Sequence, residues 1–94
     1  MKTGKQSLKN AAIVFIEEFG KHNIHLYFDT YTQDNIVLNG IVTQGYDLFV
    51  YLADDRCCVK LLRKNKTVAY STSAPIMYSI SIVNTVVDEI RDII

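Results

Sequence analysis

The sequence predicts a mainly β fold, a small and strongly bent five-stranded sheet with one helix before it and a short helix after it. The clearest sign is residues 35–52, two strand-like apolar runs joined at Gln44-Gly45. In the first run, side chains alternate between two faces at the period of two that a strand requires. Gly40 lies inside this strand. Because glycine has no side chain to pack, it indicates a sharp bend or a close approach of another backbone segment.

The two ends of the chain carry helix patterns. Ser7 is a suitable N-cap, and the residues after it place apolar side chains on one helical face until Gly20. The first predicted helix therefore spans residues 7–20. At the other end, Asn84 can cap a second helix, predicted over residues 84–94.

The sheet is predicted between the helices, over residues 24–83. Turn-forming residues divide this stretch into five or six apolar runs, and Pro75 is expected at the entrance of the last one, because proline donates no ladder hydrogen bond. The runs are Ile24–Tyr31, Ile36–Thr43, Tyr46 or Leu48 to about Ala53, Cys57–Leu62, Thr67–Ser71 and Ile76–Val83. No repeat or linker interrupts them, so residues 1–94 are predicted to form a single domain.

Composition limits the classes of function. The 94 residues are 49% hydrophobic, and ten basic residues balance ten acidic ones. A strongly basic nucleic-acid-binding protein is therefore not indicated, and any contact with nucleic acid needs a local concentration of charge. The high apolar fraction in so small a chain favours further burial between subunits.

The cysteines indicate a reducing compartment. Cys57 and Cys58 are adjacent, so in a strand they point to opposite faces, and a disulfide between them would be strained. With no CxxC motif and no secretory signal, we expect a cytoplasmic protein. No apolar run reaches the ~18 residues of a membrane span, so no membrane association is expected.

Neither catalysis nor metal binding is indicated. The hydroxyl-bearing residues 71–73 lie in a polar run that no histidine follows, so no nucleophile and base emerge. His22 and His25 form an HxxH at a predicted helix-to-strand junction, without a nearby third ligand. We therefore expect no enzyme activity, no metal and no cofactor.

Two segments resemble Hfq, the bacterial Sm-like RNA chaperone. Residues 6–28, QSLKNAAIVFIEEFGKHNIHLYF, are similar to its N-terminal helix and first strand. Residues 36–52 are similar to its second and third strands, with one extra residue near Gly45. The resemblance implies an Sm-like barrel that assembles into a homohexameric ring through its strand edges. It also implies non-catalytic binding of single-stranded RNA on two ring faces.

On the face that takes uridine-rich RNA in the family, Lys9 and Asn10 stand where the family has Gln and Asp. Phe49 stands where an aromatic residue stacks on uracil. The family's Tyr-Lys-His motif on the fourth strand has its nearest match at Tyr70, and a rival alignment uses Tyr78. Both alignments lack the basic pair.

On the face that takes adenine-rich RNA, Tyr27 matches an aromatic residue that stacks a base. Asn39 replaces a Gln that hydrogen-bonds adenine, and it keeps the amide chemistry. The Arg pair at the end of the family's helix is replaced by Glu17 and Glu18, which would repel phosphate.

Positive charge is concentrated near one predicted hairpin, and two interpretations remain open. The cluster is a set of phosphate contacts that replaces the missing basic pair, or it is a solvated tip whose charges resist edge pairing. Its members are Lys60, Arg63, Lys64 and Lys66.

The leading hypothesis is therefore an oligomeric ring that binds U-rich or A-rich single-stranded RNA. The alternative is an Sm-like or other small β-sheet assembly module that does not bind RNA. The zero net charge and Glu17-Glu18 favour the alternative. A third possibility is an unrelated α+β domain.

Overall fold

The computed structural model describes residues 5–94, with the side chains of residues 5–7 and Gln44 left out. The prediction of a mainly β fold with an N-terminal and a C-terminal helix is confirmed. Two 3-10 turns, Thr43–Gly45 and Ile76–Tyr78, join some of the elements. The elements are α1 (Lys5–Gly20), β1 (Tyr27–Tyr31), β2 (Asn35–Val42), β3 (Tyr46–Ala53), β4 (Arg56–Leu62), β5 (Val68–Pro75) and α2 (Ser79–Ile93).

The five strands form one antiparallel sheet in the order β1-β2-β3-β4-β5. Each strand pairs with the strand that follows it along the chain, so β1 and β5 are the two edges. Short connections suffice for such a sheet, because antiparallel neighbours can be joined by tight turns. The arrangement is compact and consistent with an Sm-like fold.

One face of the sheet is buried beneath both helices, and we call the other face the open face. The core combines the inward side chains of β2, β3 and β4 with apolar residues of α1 and α2, including Phe15 and Val86, which are fully buried. Strand residues alternate between the two faces. The open face includes Tyr27, Thr30, Val37, Asn39, Ile41, Asp47, Phe49, Tyr51, Ala53, Arg56, Cys58, Lys60, Leu62, Ser71 and Ser73.

Gly40 marks a close backbone approach, as predicted. It lies on the buried face opposite Leu48 in β3. A Cβ atom at this position would collide with the carbonyl oxygen of His25 and lie 2.9 Å from Leu26 Cδ2. The segment that leads into β1 therefore passes directly over Gly40, and only a residue without a side chain fits there.

The N-terminal boundaries differ slightly from the predicted ones. α1 already includes Lys5, so Ser7 lies inside the helix instead of capping it. β1 begins at Tyr27 rather than Ile24, because the preceding residues pack across Gly40 instead of pairing with a neighbouring strand. At the end of α1, Glu18 Oε2 pairs with Lys21 Nζ at 3.0 Å.

The predicted sixth strand, Ile76–Val83, is wrong. A 3-10 turn occupies Ile76–Tyr78, and α2 then begins at Ser79 rather than at Asn84. The reason is packing, since the buried residues recur at helical spacing against α1 and β5. They are Ile82, Val83, Val86, Val87 and Ile90. Neither helix in the described part of the chain is long and apolar enough to cross a membrane.

Candidate nucleic-acid interface

Four side chains form a line across four strands on the open face. Tyr27 in β1 lies opposite Asn39 in β2, Asn39 lies opposite Phe49 in β3, and Phe49 lies opposite Lys60 in β4. Directly opposed residues on one face of an antiparallel pair have Cβ atoms about 5 Å apart. We call these four residues the open-face row. The row contains three residues predicted to contact RNA, which are Tyr27, Asn39 and Phe49, and one residue predicted to contact phosphate, Lys60.

The resemblance to Hfq assigns Tyr27 and Phe49 to two different faces of a ring. In the structure they share one face of one sheet, with Asn39 between them. A single extended ligand that crosses the strands therefore reaches both aromatic rings.

A further aromatic residue, which sequence reasoning missed, lies one step along β3. The rings of Phe49 and Tyr51 have centroids 6.0 Å apart and planes inclined by 13°. Lys60 Nζ lies 5.6 Å from the Tyr51 ring centroid, within the range of a cation–π contact. The sequence signal for Tyr51 was its position two residues after Phe49, because residues i and i+2 of a strand share a face.

The open face exposes several apolar side chains. Tyr27 is 66% exposed and Ile41 is 74% exposed, while Phe49 is half-buried. Contiguous exposed apolar surface on a small protein marks an interaction site more often than a free surface. The open face is therefore the best candidate for a binding site in this molecule.

Asn39 contributes an unsatisfied acceptor to the row. Its Oδ1 atom is buried and has no hydrogen-bond partner among the described residues. A buried polar atom without a partner is costly, and most such atoms in folded proteins are paired. A donor from a bound molecule would relieve that cost.

In the structure, the four residues of the predicted positive cluster lie in two different places. Lys60 lies in the open-face row, whereas the other three residues lie in the turn between β4 and β5. Arg63 Nη1 donates to Thr67 Oγ1 at 3.3 Å and to the carbonyl oxygen of Val68 at 3.0 Å, so its guanidinium orders the turn. Lys66 has a positive φ of 74° in the same turn. Lys64 lies beside Gly45 at the β2–β3 connection.

Three other predicted contacts do not reach the open face. Lys9 and Asn10 are exposed on α1, which packs on the buried face. Tyr70 lies in β5 opposite Leu61 and packs against the core. The rival residue Tyr78 lies in the 3-10 turn before α2, outside the sheet.

One cavity lies away from the open face. It measures about 440 Å³ and lies beside the C-terminal ends of α1 and α2, where Lys21 and Arg91 line it. Lys21 already pairs with Glu18, and Arg91 Nη1 lies 3.7 Å from Asp88 Oδ1. Its described lining residues include His22 but no Phe or Tyr, so it lacks the Phe and Tyr rings that the open face offers for stacking.

The two cysteines differ in accessibility, as predicted from their adjacency. Cys57 is fully buried, and its Sγ donates to the carbonyl oxygen of Ala74 at 3.4 Å. Burial raises the pKa of the Cys57 thiol. Cys58 is half-buried on the open face.

We expect one thiol, that of Cys58, to react under native conditions. Alkylation needs an accessible thiolate, and at neutral pH the raised pKa of Cys57 lowers its thiolate fraction further. Mass spectrometry after N-ethylmaleimide treatment should detect one adduct on the folded protein, none on Cys58→Ser and two on the denatured chain. Rapid double modification of the folded protein would contradict this assignment.

Comparison with known proteins gives no match: no family model, no curated protein and no solved structure is significantly similar to this chain. The resemblance to Hfq therefore stays a prediction.

Proposed function

We propose that this protein binds single-stranded RNA, without catalysis, through the open face of its sheet. The observation that carries the proposal is the open-face row, in which Tyr27, Asn39, Phe49 and Lys60 lie side by side on four neighbouring strands. Aromatic, amide and cationic groups are the three kinds of group that recognise a base and its phosphate.

Stacking supplies most of the affinity in this proposal. Every nucleobase has a π-face, and stacking on an aromatic side chain is worth roughly 1–3 kcal/mol per base. Tyr27 is exposed at one side of the row, and Phe49 lies two strands away beside Tyr51. The two positions suit successive bases of an extended strand.

Asn39 and Lys60 add polar contacts. Asn39 can accept a hydrogen bond from an exocyclic amino group once its side chain turns the buried, unpaired Oδ1 toward the open face, and Lys60 attracts phosphate. Because the protein has zero net charge, affinity depends on this local geometry rather than on a global field. We expect a shallow dependence of binding on salt.

The proposal extends to assembly and location. β1 and β5 are open edges whose backbone groups can pair with a second copy, so a homo-oligomeric ring, hexameric as in Hfq, is the expected form. The two free cysteines suit a reducing, cytoplasmic environment.

Phe49→Ala is expected to weaken RNA binding about 5- to 150-fold, the equivalent of roughly 1–3 kcal/mol for one stacked base. Fluorescence anisotropy with labelled oligo-U and oligo-A, at two salt concentrations, measures the effect. Tyr78→Ala is the matched control, because Tyr78 is an exposed aromatic residue outside the sheet. Absence of micromolar binding of the wild-type protein to either oligonucleotide would reject the proposal.

A second candidate function is protein assembly without RNA. The specific observation in its favour is Ile41, an aliphatic side chain on the open face that is 74% exposed and has no role in base recognition. Light scattering on the wild type and Ile41→Arg separates the two functions. If assembly uses this face, the variant dissociates to monomers. If the face binds RNA alone, oligomer size is unchanged.

A further inference from the structure

A shallow cavity of about 240 Å³ opens on the open face beside the open-face row. The residues that line it include Val37, Tyr51, Ala53, Arg56 and Cys58. These residues belong to three neighbouring strands, and Tyr51 is two residues from Phe49 in β3. Two residues of a strand span about 6.6 Å, which is comparable to one nucleotide of an extended strand.

Tyr51 and Arg56 are the two side chains of the cavity that can contact the flat surface of a base. Tyr51 lies opposite Cys58, and Ala53 lies opposite Arg56, so Tyr51 and Arg56 are diagonal neighbours across β3 and β4. Diagonal neighbours are within reach of long side chains. No ion pair joins Arg56 to a carboxylate among the described side chains, so its planar guanidinium is available for stacking.

We infer that this cavity is a second nucleobase site, in which a base lies between the Tyr51 ring and the Arg56 guanidinium, over a floor formed by Val37 and Cys58. The inference rests on the proposed function, because it concerns the nucleotide next to the one on Phe49. The occupant is a base, since the cavity has an aromatic wall, is continuous with the row and has room for one planar ring system.

Charge sets the orientation of the bound nucleotide. The turn beyond Arg56 carries Asp54 and Asp55, which disfavour phosphate on that side. Lys60 lies on the other side of Tyr51 and attracts phosphate. The base therefore enters with its phosphate toward Lys60, and Arg56 contacts the base rather than the backbone.

The lining of the cavity also predicts its selectivity. Its walls are almost entirely apolar, with few groups that read the edge of a base. Stacking without hydrogen bonds is tolerant of sequence. We therefore expect this second site to contribute equally to the binding of oligo-U and oligo-A.

Matched variants distinguish two roles of Arg56, stacking on a base and contact with phosphate. Tyr51→Ala should weaken binding of both oligonucleotides about 5- to 150-fold, while Tyr51→Phe keeps affinity because the ring remains. Arg56→Lys keeps the charge but loses the planar group, so we expect a loss of about 2- to 5-fold. Arg91→Lys, at an exposed arginine on α2, is the matched control.

Salt dependence gives an independent readout. Lys60→Gln should reduce the slope of log K against log salt by about 0.7, the value for one phosphate contact on a single strand. Arg56→Gln should weaken binding without changing this slope. An equal decrease in the slope of log K against log salt for Lys60→Gln and Arg56→Gln would mean that Arg56 contacts phosphate. This result would overturn the inference of a second base site.

The alkylation rate of Cys58 reports directly whether the cavity is occupied, because Cys58 lines the cavity. Saturating oligo-U should slow its alkylation several-fold in the wild type and much less in Tyr51→Ala. RNA binding with an unchanged alkylation rate would overturn the second base site and leave the proposed function standing. Failure of the wild type to bind either oligonucleotide would instead reject the proposed function itself.

Discussion

Thr85→Pro is expected to destabilise the protein by about 3 kcal/mol or more. Thr85 is exposed in the interior of α2, which spans Ser79–Ile93. Proline there removes the hydrogen bond from residue 85 to the carbonyl of residue 81, and its ring clashes with that carbonyl. Urea unfolding followed by circular dichroism measures the loss as a lower midpoint at constant slope.

The same substitution tests whether α2 starts where the structure shows or where the sequence predicted. If Asn84 capped the helix, residue 85 would be its first helical residue, where proline is favoured. A stable Thr85→Pro variant would therefore support the predicted boundary and contradict the structure. Thr85→Ala is the control, since alanine suits a helix interior and should be neutral or slightly stabilising.

Gly40→Val is expected to cost about 3 kcal/mol, the upper end of the usual range for overpacking. Strand propensity alone predicts the opposite result, because valine favours strands and glycine does not. The collision is with the His25 carbonyl oxygen, and this backbone atom cannot turn away as a flexible side chain would. Thermal and urea unfolding of the variant measure the loss.

Gly20→Ala is the control for Gly40→Val. Gly20 is the last residue of α1, and a Cβ there meets nothing within 4 Å. Alanine at this position should be neutral or stabilise the protein by up to about 1 kcal/mol, because it reduces the entropy of the unfolded chain. Equal effects at the two glycines would show that the backbone does not approach Gly40 closely.

The central strands were predictable because their signals are local. β2, β3 and β4 were predicted within about two residues of their observed bounds, since alternation and turn residues define each of them along the chain. The close approach at Gly40 was predictable for a similar reason. Glycine weakens the interior of a regular strand, so its presence there indicates a bulge, a bend or a close backbone contact.

The C-terminal element was not predictable in the same way. Residues 76–83 carry apolar side chains that fit an alternating pattern as well as a helical one. Contacts with α1 and β5 decide between them, and the contacts with α1 join distant parts of the chain. Short apolar runs of this kind are ambiguous without their tertiary partners.

The four residues of the open-face row were predicted individually but not as an arrangement. Alignment of Tyr27 with Asn39 requires the register of β1 on β2, and a bulge at Asp29 interrupts that register. The bulge leaves Phe28 and Tyr31 on the same side of β1, where their rings stack with centroids 5.3 Å apart. Nothing in the local sequence specifies such a shift, so the open-face row became visible only in the folded sheet.

The contact between α1 and α2 has a consequence for the order in which the molecule acquires its structure. The strands pair only with their neighbours along the chain, so the hairpins can form from local encounters. The two helices are the first and last elements, and they pack against each other. During synthesis, the part of the apolar side of α1 that packs on α2 therefore stays uncovered until α2 emerges, and until then it is available to chaperones or to aggregation.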